Sequence, residues 1–136
     1  MPELKTVWGE NLNPEAILPE YPRPQLARNS YVNLNGRWDY AITASDAEPE
    51  HWDGEILVPF SPEAPLSGVN RTLLPGQTLW YRREIQETRR EGQRLLLHFG
   101  AVDQEAKIYV NGKLAGAHLG GYTAFTGELT EFLTDG

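Results

Sequence analysis

The chain has 136 residues, enough for one domain with a buried core, and carries a formal net charge of −7 with a pI near 4.9. No basic stripe is available to contact phosphates, which excludes a nucleic-acid partner, and the lack of cysteine excludes disulfides, thiolate nucleophiles and cysteine metal sites. No apolar run approaches the length of a membrane span and the opening MPELKTVWGENLNPE lacks a signal-type apolar stretch, so the expectation is a cytoplasmic protein without a membrane partner.

Thirteen glycines, ten prolines and several short alternating segments favour an all-β chain. Residues 1–30 hold Pro2, Pro14, Pro19, Pro22 and Pro24, and proline removes an N–H and restricts its predecessor. They read as an extended arm packed along the domain by Trp8, Leu12, Ile17, Leu18 and Tyr21, or as partly disordered at the start. Residues 31–136 read as one β-sandwich. Asn35-Gly36 marks a turn, followed by a strand over 37–43 with Trp38, Tyr40 and Ile42 on one face. Residues 45–54 form an acidic loop pinned by Trp52, and 55–60 a short apolar strand stopped by Pro59 and Pro62. The connection over 61–77 is long for a compact domain, and such loops are often functional. Residues 78–86 read as a strand with Leu79, Tyr81, Arg83 and Ile85 on one side.

The best-specified stretch is 94–125. Leu95, Leu97 and Phe99 alternate, which predicts a buried strand over 94–102. Asn111-Gly112 suits a two-residue type I′ turn, because both residues accept positive φ cheaply. A simple hairpin then pairs Val110 with Lys113, Ile108 with Ala115 and Ala106 with Ala117, and sets Glu105 opposite His118. Gly120-Gly121 allows a sharp bend before Tyr122. Residues 129–133 read as one helical turn.

Histidines 51, 98 and 118 show no helical i, i+4 pairing, so no metal site is expected, and no motif implies a cofactor. His98 reads as a residue facing solvent or a second layer. Trp38 and Trp80 alternate within strands and read as core, while Tyr122 lies in a glycine loop where an aromatic ring either reaches a ligand or anchors the loop.

Four blocks in order resemble the N-terminal sugar-binding domain of glycoside hydrolase family 2, the β-galactosidases, β-glucuronidases and β-mannosidases. They are RPQLARNSYVNLNGRWDYAI, ILVPFSPEAPLSGV, TLWYRREI, and HFGAVDQEAKIYVNGK followed by HLGGYTAFTGELT. The resemblance implies an antiparallel jelly-roll sandwich, like the galactose-binding domains, cut before its last strand. It implies hydrolysis of O-glycosyl bonds of β-linked sugars by a separate (β/α)₈ barrel, which takes about 250 residues. The family's acid, a glutamate directly after an asparagine, has no counterpart here, as the chain contains no Asn-Glu pair. No residue is therefore expected to be catalytic, and this chain alone is expected to be inactive. By resemblance, the loop after the VP strand end, residues 61–69, and the loop after the NG hairpin, residues 118–122, reach the rim of the sugar pocket. This makes Ser61, Glu63, Gly120 and Tyr122 the rim candidates. In some β-galactosidases an acidic residue that contacts sugar stands where Gly120 stands; glycine is closer to the glucuronidase-like pattern. The expected partners are a carbohydrate, bound weakly or only together with the barrel, the catalytic barrel of the same polypeptide, and a second copy through an open sheet edge. Two other readings suit the same residues: a stand-alone carbohydrate-binding module, or a structural domain supporting a barrel and oligomer contacts.

Overall fold

Alternating segments become strands only where a neighbour completes their hydrogen bonds, and seven short strands among the described residues do so, all in antiparallel ladders. The computed structural model describes residues 4–17, 30–86 and 91–134. Among them no helix is long and apolar enough to cross a membrane. The chain divides into two compact units, Met1–Ile85 and Gln86–Gly136.

In the first unit, β1 (Gly36–Thr43) lies between β2 (Gly54–Val58) and β3 (Thr78–Arg82). Trp38 faces Ile56 across one ladder, and Tyr40 faces Tyr81 across the other. Tyr40, Ala41, Ile56 and Ile17 are the buried apolar residues among those described in this unit. The indole Nε1–H of Trp38 donates to Leu34 O at 2.8 Å, so the largest side chain of β1 is half-buried with its polar atom satisfied. Trp52 does pin the acidic loop: the Arg82 guanidinium lies 4.4 Å from its ring centroid. The loop also returns onto β1 through two bonds, Asp53 N–H to Tyr40 O and Ile42 N–H to Asp53 Oδ2.

The arm departs from the expectation. Residues Val7–Glu10 form a single helical turn, α1, capped by the Thr6 hydroxyl, which accepts from the Gly9 N–H at 3.2 Å. Trp8 is 83% exposed and does not pack along the domain; its place on a one-turn helix with no buried face leaves it in solvent. Ile17 is buried as expected. Leu18 and Tyr21 lie outside the described residues.

In the second unit, β4 (Leu96–Phe99) pairs with β7 (Phe125–Glu128), and β5 (Glu105–Val110) pairs with β6 (Lys113–Leu119). Asn111 has φ 49° and Gly112 φ 76°, the positive pair that a type I′ turn requires. Val110 pairs with Lys113 as expected, but the ladder then shifts. Tyr109 faces Leu114 and Ile108 faces Gly116, so Ala115 is an extra residue on β6. Consequently Ala106 faces His118 and Glu105 faces Leu119, and the expected Glu105–His118 pair does not form. The bulge turns Leu119 outward, 73% exposed, and turns the His118 ring onto Phe125, with centroids 4.2 Å apart. Phe125 stacks in turn on Phe99 at 4.7 Å. Ile108 is buried between two glycines: its Cδ1 lies 3.8 Å from where a Cβ of Gly116 would stand and 3.5 Å from that of Gly127. The expected helical turn appears as a 3-10 turn, Thr130–Phe132, whose Phe132 carbonyl accepts from Asn111 Nδ2 at 2.7 Å.

Candidate functional site

The four residues marked by the sequence fall in two loops, one in each unit. In the first unit the long connection closes on itself. Ala64 N–H bonds Ser61 O, Arg71 N–H bonds Pro62 O, and Pro65–Ser67 form a 3-10 turn. The buried Ser67 hydroxyl donates to Ala64 O at 2.7 Å and accepts from Val69 N–H at 3.0 Å. Loops of this length that bond internally stay compact without long regular structure.

That closure presents Ser61 and Glu63 together at the surface. Glu63 Oε1 accepts from the Leu73 N–H at 3.1 Å, spanning the loop. This bond, with Glu63's own backbone N–H and the Ser61 hydroxyl, holds the Glu63 carboxyl below the ordinary glutamate range. Glu63 is therefore an ionised, exposed acceptor held in one place, suited to a ligand hydroxyl. Its charge, after burial of the ring, helps to raise the Tyr81 phenol.

In the second unit Gly120 follows β6 and donates its N–H to Gln104 O at 2.8 Å, which ties it to the start of β5. Its φ of 117° lies where a side chain is strained, so the turn calls for glycine. Tyr122 is fully exposed, and no hydrogen bond or ring contact within the described residues holds it. The loop-anchoring alternative is thus not what this structure has. His118 sits beside this turn with Nε2 3.3 Å from Thr123 Oγ1 and a buried Nδ1 that meets no partner among the described residues. His98 is exposed, with Nδ1 2.8 Å from Thr126 Oγ1.

Sequence reasoning passed over Asp103. Its carboxyl lies over Gly121, so closely that a Cβ there would stand 2.9 Å from Asp103 Cγ. The available signal was position: an acidic residue closing the loop that enters β5, facing a double glycine. Among the described residues no group of three or more His, Asp or Glu side chains is arranged to hold a metal ion.

No protein-family model matches the chain. A protein of Formosa agariphila assigned the name β-glucuronidase is 41% identical over 131 residues, covering 85% of this chain and 15% of that protein. A β-galactosidase of Thermoanaerobacter pseudethanolicus is 41% identical over 58 residues, covering 42% of this chain and 8% of that protein. Among solved structures, Bifidobacterium dentium β-glucuronidase complexed with coumarin-3-O-glucuronide superposes with a TM-score of 0.56 at 28% identity, covering 76% of this chain and 18% of that one. The chain thus spans less than a fifth of each of these proteins. The antiparallel all-β fold matches a β-sandwich portion of the glycosidase.

Proposed function

We propose that this chain, a glycoside hydrolase segment of the family 2 kind by sequence and fold, is the non-catalytic sugar-binding domain of an enzyme that hydrolyses O-glycosyl bonds of β-linked sugars. The observation that carries the reading is the combined match: 41% identity over most of the chain to a protein named for β-glucuronidase activity, with the same fold in a solved β-glucuronidase. Retaining glycosidases need two carboxyl groups about 5–5.5 Å apart. Here the exposed carboxylates of Glu55, Asp39 and Glu128 are each engaged by an arginine, and Glu63 is engaged by backbone and hydroxyl donors. Such groups bind and orient rather than exchange protons. In this reading Ser61 and Glu63 in one unit, and separately Gly120 and Tyr122 in the other, each offer hydrogen bonds or an aromatic face to a sugar, and the catalytic pair sits elsewhere in the polypeptide.

The test is direct. Purified residues 1–136 should leave nitrophenyl β-glucuronide, β-galactoside and β-mannoside uncleaved. In the intact enzyme, Tyr122→Ala and Glu63→Gln should raise KM more than they lower kcat. Turnover by residues 1–136 that a single Asp or Glu substitution abolishes would overturn the proposal, as would rim variants indistinguishable from the parent.

A further inference from the structure

Around Gly121 the second unit assembles a surface with an unusual combination of groups. Asp103 is exposed, yet its carboxyl is seated over the one residue in the turn that has no room for a methyl: a Cβ on Gly121 would meet Asp103 Cγ at 2.9 Å and its Cβ at 3.0 Å. No hydrogen bond or ion pair within the described residues satisfies this carboxylate, so its acceptor capacity is open. The next residue, Tyr122, presents its whole ring to solvent. The turn itself is fixed by the Gly120–Gln104 bond. A polar acceptor, an uncovered aromatic ring and a glycine floor that permits close approach are the elements that recognise a sugar: hydroxyls bond the carboxylate, and the C–H face packs on the ring.

Charge sets which part of a sugar. The two segments that build this surface, residues 95–106 and 114–125, contain no Lys or Arg, while Asp103 and Glu105 lie in the first of them. Within these two segments a uronate carboxylate would meet like charge and no Lys or Arg. We propose that Asp103, with Tyr122, forms a subsite for a neutral sugar or the neutral hydroxyls of a glycoside, and that the Asp103 charge discriminates against an anionic sugar at this position. This rests on the reading of the chain as a sugar-binding domain and adds to it the residue and the charge class of the ligand.

The experiment is saturation-transfer NMR on the 136-residue chain with methyl β-glucoside and, separately, glucuronate as probes. The unsubstituted chain should bind methyl β-glucoside more tightly than glucuronate. Asp103→Ala should weaken methyl β-glucoside binding about tenfold, the loss expected for a hydrogen bond to a charged group. Asp103→Asn keeps the shape and an acceptor, so it should largely keep the neutral probe while raising glucuronate toward it. Gly121→Ala should also weaken the neutral probe, because the new methyl displaces the carboxyl. A purely structural role for Asp103 would not change the ratio between the two probes. If both probes bind the unsubstituted chain but Asp103→Asn leaves their ratio unaltered, the subsite is refuted and the sugar-binding reading stands. If neither probe binds the unsubstituted chain, the subsite is refuted, while the sugar-binding reading is decided by KM in the intact enzyme.

Discussion

Replacing Gly112 by valine tests the hairpin on which the second unit depends. The residue has φ 76°, and no atom lies within 4 Å of the position a Cβ would take. The substitution therefore causes no collision, and its cost is conformational. A Cβ in the left-handed region costs about 1–2 kcal/mol, and branching at Cβ narrows the choice further, giving about 1–3 kcal/mol for valine. Alanine should cost about 1 kcal/mol, and asparagine, which tolerates this region, well under that. Distortion of the turn would also strain the bond from Asn111 Nδ2 to Phe132 O, so the turn and the 3-10 segment should loosen together. Urea unfolding of the three variants should rank them asparagine, alanine, valine in falling stability. For a chain of this length each kcal/mol corresponds to about 3–5 °C in Tm. A valine variant as stable as the parent would show that the positive φ of Gly112 is not required, and the type I′ assignment would fall.

Three further outcomes are expected. Ile56 is 1% exposed at the centre of β2, and Ile56→Ala should cost about 2–5 kcal/mol in urea unfolding; a loss under about 1 kcal/mol would mean that the site collapses or was never packed. The Arg94 guanidinium bonds both carboxylate oxygens of Glu128, at 2.8 and 2.6 Å, and holds its pKa at about 2. Because that pKa is depressed, the pair's contribution is present above the ordinary value of 4.5 and is lost as pH falls toward 2. Carboxyl-carbon NMR should find Glu128 titrating near 2, and Arg94→Ala should return it toward 4.5; an ordinary midpoint in the parent would refute the pairing. Finally, β4–β7 and β5–β6 are each two-stranded among the described residues, and open edges recruit strands from other chains. Light scattering on residues 1–136 should show concentration-dependent association, and a strictly monomeric chain would exclude edge pairing.

The legible parts of the fold were those where chemistry leaves few choices. Asn111-Gly112 announced a turn because few residue pairs accept two positive φ values, and the turn is there. Leu95, Leu97 and Phe99 announced one face of a strand over 94–102, and all three are half-buried, but only Leu96–Phe99 of that segment is strand and none of the three is fully buried. The bulge was not legible. Ala115-Gly116-Ala117 carries almost no preference for inside or outside, so nothing in those residues resists an extra one, and the register beyond it followed packing by Ile108 and His118. Strand β7 was missed because it is four residues long with Gly127 inside it, although Phe125, Gly127 and Leu129 alternate with Thr126 and Glu128. At the candidate site, the resemblance marked Ser61, Glu63, Gly120 and Tyr122, but the hold of Leu73 on Glu63 and of Asp103 over Gly121 depends on loop closure across ten and eighteen residues, which no local pattern encodes.

The seat of Ile108 carries a last consequence. Its Cδ1 touches the space above Gly116 on one neighbouring strand and above Gly127 on another. The volume at these three positions is in effect a single quantity shared between strands far apart in the chain. A methyl at either glycine would reach ordinary contact with Ile108, and anything larger would displace it. Divergence at one position is therefore tied to the other two: a sequence that drifts to a bulky side chain at 116 or 127 should be found with a smaller one at 108. The glycines act as receivers of another residue's bulk, and their identity is inherited from the isoleucine rather than chosen by the strands in which they lie.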